Sequence, residues 1–203
     1  MRILRYLAIT IMAVGAAQAG AEPFTCTVDD PVYPDVLFPQ VEMETSLGRV
    51  VVELDRRRAP VTVNNFLAYV ESGRYNGTLF HRVIDAFVVQ GGGYLPGWKP
   101  IETRPPIINE SGNGLRNEIR TVAMARYDDP HSATSQFFFN LADNDSLDPS
   151  RRNWGYTVFG RVIEGWEIIE ALGAVPTDYS EALNAGDVPL ENVVLRKVAL
   201  IEQ

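Results

Sequence analysis

Residues 41–54 alternate apolar and polar side chains on either side of Leu47-Gly48, which predicts a two-stranded hairpin. Pro60 follows, at a position a first helical turn tolerates. Val63, Phe66, Leu67 and Val70 then recur at helical spacing until Gly73 ends the run. Short apolar segments at 79–84, 87–90, 121–125, 136–140 and 157–162 read as strands. Residues 165–172 predict a second short helix closed by Gly173, and 193–201 a last strand. About eight strands and two helices joined by long loops predict a mainly β fold. The expected form is an eight-stranded antiparallel closed barrel with a helix capping each end. There is no internal repeat.

The first forty residues lack this patterning. Residues 1–19 carry Arg2 and Arg5, then an apolar run from Leu7 to Val14 too short to span a bilayer, then Ala17-Gln18-Ala19. That order predicts a secretory signal peptide cleaved after Ala19, with a rival site after Ala21. Residues 20–40 hold Pro23, Pro31, Pro34 and Pro39 without periodicity and read as an extended arm ahead of one domain at 41–203. Cleavage removes 19 of the 203 residues, leaving 184, and takes the formal net charge from −8 to −10 with the loss of Arg2 and Arg5. An acidic chain of this kind argues against non-specific binding to nucleic acid or anionic membrane. Cys26 is the only cysteine, so no intrachain disulfide forms. The expectation is a monomeric periplasmic or secreted protein with no stable membrane insertion after cleavage.

Two segments concentrate chemistry-bearing residues. Residues 75–93, YNGTLFHRVIDAFVVQGGG, combine Arg82 and Gln90 with apolar side chains, and residues 133–140, ATSQFFFN, add Gln136 and three phenylalanines. If 136–140 is a strand, Gln136 and Phe138 point one way and Phe137 and Phe139 the other. One face is then polar and aromatic and the other wholly aromatic, as suits a wall between a groove and a core. Phe80 to Gly92 matches every fixed position of F-H-R-V-I-x-x-F-x-x-Q-G-G, and on this motif the chain resembles the cyclophilins. That family catalyses cis/trans isomerisation of X-Pro peptide bonds. The resemblance extends over residues 41–201 through the segments TVAMAR (121–126) and GYTVFG (155–160).

The resemblance implies a rotation without covalent chemistry. Resonance sets a barrier of roughly 18–20 kcal/mol to turning an amide. In the twisted transition state the proline nitrogen becomes pyramidal and gains a lone pair. A catalyst needs a donor aimed at that nitrogen, an apolar seat for the ring and groups that fix the carbonyl. A ~10⁵-fold acceleration takes about 7 kcal/mol of preferential binding to the twisted state. By resemblance Arg82 is the catalytic donor and Gln90 steadies it. Gln136 and Phe138 face the groove, Phe87 floors the proline pocket, and Val88 replaces a commoner methionine, leaving the wall slightly open. The backbone of Ala125 and Arg126 is placed to pair with an extended peptide. Leu147 adds apolar wall, and Tyr156 either closes the pocket or donates a hydrogen bond.

Other readings fall away. Rotation transfers no obligatory proton, so His81 is expected to be structural. His131 and the acidic residues of 128–129 and 143–145 read as solvated loop positions. Two distant histidines and one cysteine give no metal-ligand set, so no metal or cofactor is expected. Gly91-Gly92-Gly93 lacks the Gly-Lys-Ser/Thr of a phosphate loop. Two departures from the family pattern stand out. Ser146 replaces a common tryptophan, which implies weak cyclosporin binding, and Arg120 replaces a usual glycine. The expected function is peptidyl-prolyl isomerisation on exported, folding polypeptides. The alternative on the same fold is a holdase that binds proline-containing segments with turnover incidental.

Overall fold

The hairpin expected around Leu47-Gly48 forms. β1 (Gln40–Thr45) and β2 (Arg49–Leu54) pair antiparallel, with Val41 opposite Val52 and Met43 opposite Val50. The structure is a computed structural model that describes residues 35–202. The expected signal peptide, Cys26 and most of the expected arm lie outside the described residues.

Helix α1 (Pro60–Glu71) opens on proline but receives no side-chain cap from Ala59. Its orphan N–H groups are met from a distance: the Glu110 carboxylate accepts from Val61 N at 3.2 Å and from Thr62 N at 2.8 Å, and from the Thr62 hydroxyl at 2.7 Å. After α1 come β3 (Thr78–Ile84), β4 (Val88–Gly91) and a small hairpin of β5 (Tyr94–Leu95) with β6 (Lys99–Pro100). β7 (Thr121–Met124), β8 (Phe137–Asn140), β9 (Val158–Glu164) and α2 (Trp166–Gly173) follow. A second small hairpin, β10 (Thr177–Ser180) with β11 (Ala185–Pro189), precedes β12 (Val194–Leu200). Neither small hairpin shows apolar alternation, so pattern reading misses both.

Eight strands close an antiparallel barrel in the order β1-β12-β3-β4-β8-β7-β9-β2. The helices sit at opposite ends of it. On one side Asn65 of α1 donates to the Thr134 carbonyl, just before β8, at 2.6 Å. On the other, Gly173 of α2 lies against Leu141, just after β8. The inward residues, among them Phe80, Val89, Phe137, Phe139, Val122, Met124 and Phe159, join Phe66 and Tyr75 in one buried core. Its rings meet edge-on or tilted, Phe137 lying 5.5 Å from Phe66 and 5.4 Å from Tyr75.

The outward face is also apolar in one place. Val88, Phe138, Ala123 and Val158 form a second cluster, flanked by Phe87, Leu115, Ala125, Leu147 and Tyr156. Each of the four is one residue from an inward neighbour, as a period of two requires. This external cluster lies where the expected groove would have its floor.

Candidate active site

Strand register assembles the site. Arg82 pairs with Gln90, Gln90 with Phe138, Phe138 with Ala123, and Ala123 with Val158. These five residues therefore form one row across β3, β4, β8, β7 and β9, running from a cation through an amide to an apolar floor.

A β-bulge gives the row its charged end. Phe80 pairs with Gly91 and Arg82 with Gln90, which leaves His81 as the extra residue of β3. In a regular strand Phe80 and Arg82 would share a face. With the bulge, Phe80 turns into the core while Arg82 stands half-buried on the groove side.

Side-chain hydrogen bonds extend the row. Arg82 Nη1 donates to Gln90 Oε1 at 3.3 Å, and Gln90 Nε2 donates to Gln136 Oε1 at 2.8 Å. Gln136 stacks directly on Gly93, where an added Cβ would come within 2.7 Å of its side chain. The chain before Gln136 is pinned by the Tyr75 hydroxyl, which donates to the Ser135 carbonyl at 2.7 Å, and by the Asn65 contact with Thr134. The three glycines thus serve close packing: Gly92 has φ +79°, and a Cβ there would lie 2.8 Å from the Phe137 ring.

Comparison with known proteins places this arrangement. Residues 40–200 match the family model described as cyclophilin type peptidyl-prolyl cis-trans isomerase/CLD. A peptidyl-prolyl cis-trans isomerase of Streptomyces antibioticus is 51% identical over 164 residues, 79% of this chain and 98% of that protein. Peptidyl-prolyl cis-trans isomerase B of Escherichia coli is 45% identical over 165 residues, 80% of this chain and 99% of that protein. A crystal structure of a Cryptosporidium parvum cyclophilin type isomerase in the presence of the dipeptide Ala-Pro superposes with a TM-score of 0.67. It is 25% identical and covers 81% of this chain and 99% of its own.

The chain is a cyclophilin.

Its activity is peptidyl-prolyl cis-trans isomerisation. In this cyclophilin the residues expected from sequence converge on the groove, and several lie just off the strands. Phe87 belongs to the turn before β4, its N–H bonding the Ile84 carbonyl at 3.1 Å. Gln136 precedes β8, and Ala125 follows β7. The Ala125 N–H is consumed internally by the Gln136 carbonyl at 2.9 Å. Tyr156 takes the wall position, its ring edge-on to Phe138 at 5.7 Å and its N–H bonded to the Leu147 carbonyl at 2.9 Å.

His81 is buried, with its ring against Tyr94 at 4.9 Å. Burial pushes its pKa down to about 4, and the Arg82 charge adds to the fall against opposing contacts from the Leu79 backbone and Gln136. Its Nδ1 has no hydrogen-bond partner among the described residues. A neutral, enclosed imidazole at the bulge is a packing element.

Several loop residues are more engaged than sequence suggests. The Arg126 guanidinium donates to the Trp154 carbonyl at 2.9 Å and lies over the Tyr156 ring at 4.7 Å. His131 accepts from Asn109 N at 3.0 Å through Nδ1 and meets Trp154 edge-on. Asp129 and Asp143 accept from the backbone N–H groups of His131 and Ile119.

Sequence reasoning misses the polar frame behind the groove. Asn140 Nδ2 donates to Asn117 Oδ1 at 3.2 Å, and Asn117 Nδ2 donates to Asp148 Oδ1 at 3.0 Å. Asn144 Nδ2 donates to Asn140 Oδ1 at 2.7 Å and to the Phe87 carbonyl at 3.0 Å. The three buried asparagines so tie Phe87 to the segments carrying Leu147 and Tyr156. An asparagine ending an otherwise wholly aromatic strand is the one sequence signal for this frame. Leu115 is a further groove residue without a sequence signal.

Proposed function

We propose that this isomerase seats the proline of an X-Pro segment on Phe138, between Phe87, Val88, Leu147 and Tyr156, with Arg82 as the donor to the proline nitrogen. The observation that carries this reading is the held guanidinium of Arg82 at the polar end of an otherwise apolar outward row. As the amide twists, conjugation is lost and the nitrogen lone pair becomes an acceptor. A guanidinium already turned by Gln90 meets that lone pair without first reorganising, so it favours the twisted state over either planar one. Gln90 and Gln136 set the direction of that donor. Ala125 and Arg126 border the groove where the peptide backbone runs.

The substrates are exported polypeptides during folding, and the enzyme works as a monomer in the periplasm or outside the cell. The charged, apolar and small-residue order of residues 1–19 supports export. Isomerisation draws on binding alone, so no cofactor takes part.

Titration of the 20–203 chain with a short Ala-Pro peptide, followed by backbone NMR, tests the seat. Shifts should concentrate at Arg82, Phe138, Leu147 and Tyr156; a footprint elsewhere on the barrel would overturn the assignment. Fractionation of a Gram-negative host expressing the full chain tests export. A periplasmic or released product lacking residues 1–19 is expected, and a full-length cytoplasmic product would contradict it.

A further inference from the structure

The Arg126 side chain has a role that sequence comparison to a peptide-pairing backbone does not assign. Its guanidinium edges donate to carbonyls of two separate segments: Tyr127 O at 2.8 Å and Asp128 O at 3.4 Å on one side, Trp154 O at 2.9 Å and Gly155 O at 3.3 Å on the other. Its carbon centre lies 4.7 Å from the centroid of the Tyr156 ring. Phe138 meets the same ring edge-on at 5.7 Å. Tyr156 therefore contacts both a cation bound to the exit of β7 and the phenylalanine at the centre of the groove row.

We propose that Arg126 is a positioning residue that acts through Tyr156: it sets the angle of that ring and so the width of the proline seat. The inference rests on the reading that the Phe138 groove takes the proline. A planar fork explains why arginine stands here. It can spend its in-plane N–H groups on four carbonyls while its face remains available to an aromatic ring, which the compact ammonium of lysine cannot do. In the stretch just before the ring, Arg151, Arg152, Asn153 and Trp154 are all exposed. The backbone of Tyr156 is anchored at Leu147 O and, at 3.4 Å, by Asn117 Nδ2, but these bonds fix the chain and not the ring. The Arg126 guanidinium is taken up by four carbonyls and the Tyr156 face, so its loss should weaken the seat for the ground state and the twisted state alike.

A double-mutant cycle on the 20–203 chain tests this, with catalysed exchange of an Ala-Pro peptide and the Tyr156 ring resonances as readouts. Arg126→Met should lower kcat/KM about fivefold, through a higher KM with kcat little changed, and should shift and broaden the Tyr156 ring signals. Arg126→Lys should restore the activity only in part. In a Tyr156→Ala background Arg126→Met should cost no further activity. Full activity of Arg126→Met, or an equal loss in both backgrounds, would overturn the proposal. If Arg126→Met does not fold, Arg126→Lys carries the same cycle with the same two outcomes. Arg82→Ala is run alongside: full activity there would strike at the groove reading itself, whereas a dead Arg82→Ala with an additive Arg126 cycle would remove only the role of Arg126.

Discussion

Gln90 aims Arg82. Its Oε1 accepts from Arg82 Nη1 at 3.3 Å while its Nε2 is committed to Gln136 Oε1 at 2.8 Å, so the amide cannot flip without breaking the second bond. Gln90→Met keeps the length of the side chain and removes the acceptor. The rate of catalysed exchange should then fall about tenfold with peptide affinity nearly unchanged, because alignment of a donor counts in the transition state. Measurement of both constants by NMR checks this, and an equal loss of rate and affinity would mean that Gln90 acts mainly as a contact for substrate.

The buried imidazole at the β3 bulge makes stability depend on pH. His81 titrates at about 4 in the folded protein and near its ordinary 6.5 when unfolded. Between these values the unfolded chain binds more protons, so stability rises with pH across the window. It is complete above pH 6.5 and is lost as pH falls from 6.5 towards 4, by an amount of the order of 3 kcal/mol. Urea unfolding at a series of pH values should show that slope, and His81→Phe should flatten this part of it.

Arg120 stands in the left-handed region, with φ +71°, where the family's usual glycine is comfortable. Its guanidinium lies over the Trp166 ring at 5.4 Å and ties the start of β7 to α2. Arg120→Ala keeps the backbone strain and loses the ring contact. Arg120→Gly loses the same contact but relieves the strain. Glycine should therefore be more stable than alanine here by about 1 kcal/mol, a reversal of the usual order that chemical denaturation would detect.

Glu110 caps a helix that lies about fifty residues before it in the chain. Its removal in Glu110→Ala should cost about 1–2 kcal/mol, because two helix N–H groups and the favourable charge at the positive end of the helix are lost together. Glu110→Gln should recover part of this loss. Thermal melts of the two variants give the comparison.

What could be read from sequence was whatever depends on local period and motif. The alternation of Phe138 against Phe137 and Phe139 separates the outward cluster from the core, and Arg82 and Gln90 of the F-H-R motif come together on one face while Phe80 turns into the core. The reason that Arg82 reaches it is not local. It depends on the register of β3 against β4 and on the extra residue at His81. The Glu110 cap, the asparagine frame and the grip of Arg126 on Tyr156 are likewise contacts between distant segments, and polar residues in loops look alike until the partner strand is in place. Arg120 was visible as a departure, but only its positive φ gives that departure a physical meaning.

On the proposed mechanism, Arg82 acts on the twisted amide rather than on the bound peptide. Exchange spectroscopy on a short Ala-Pro peptide, with wild type and Arg82→Ala compared for both catalysed rate and affinity, separates the two. A loss of about 10²–10³-fold in rate is expected, with affinity within a few-fold of wild type. A variant that keeps its rate, or loses affinity in step with it, would rule out that role for Arg82.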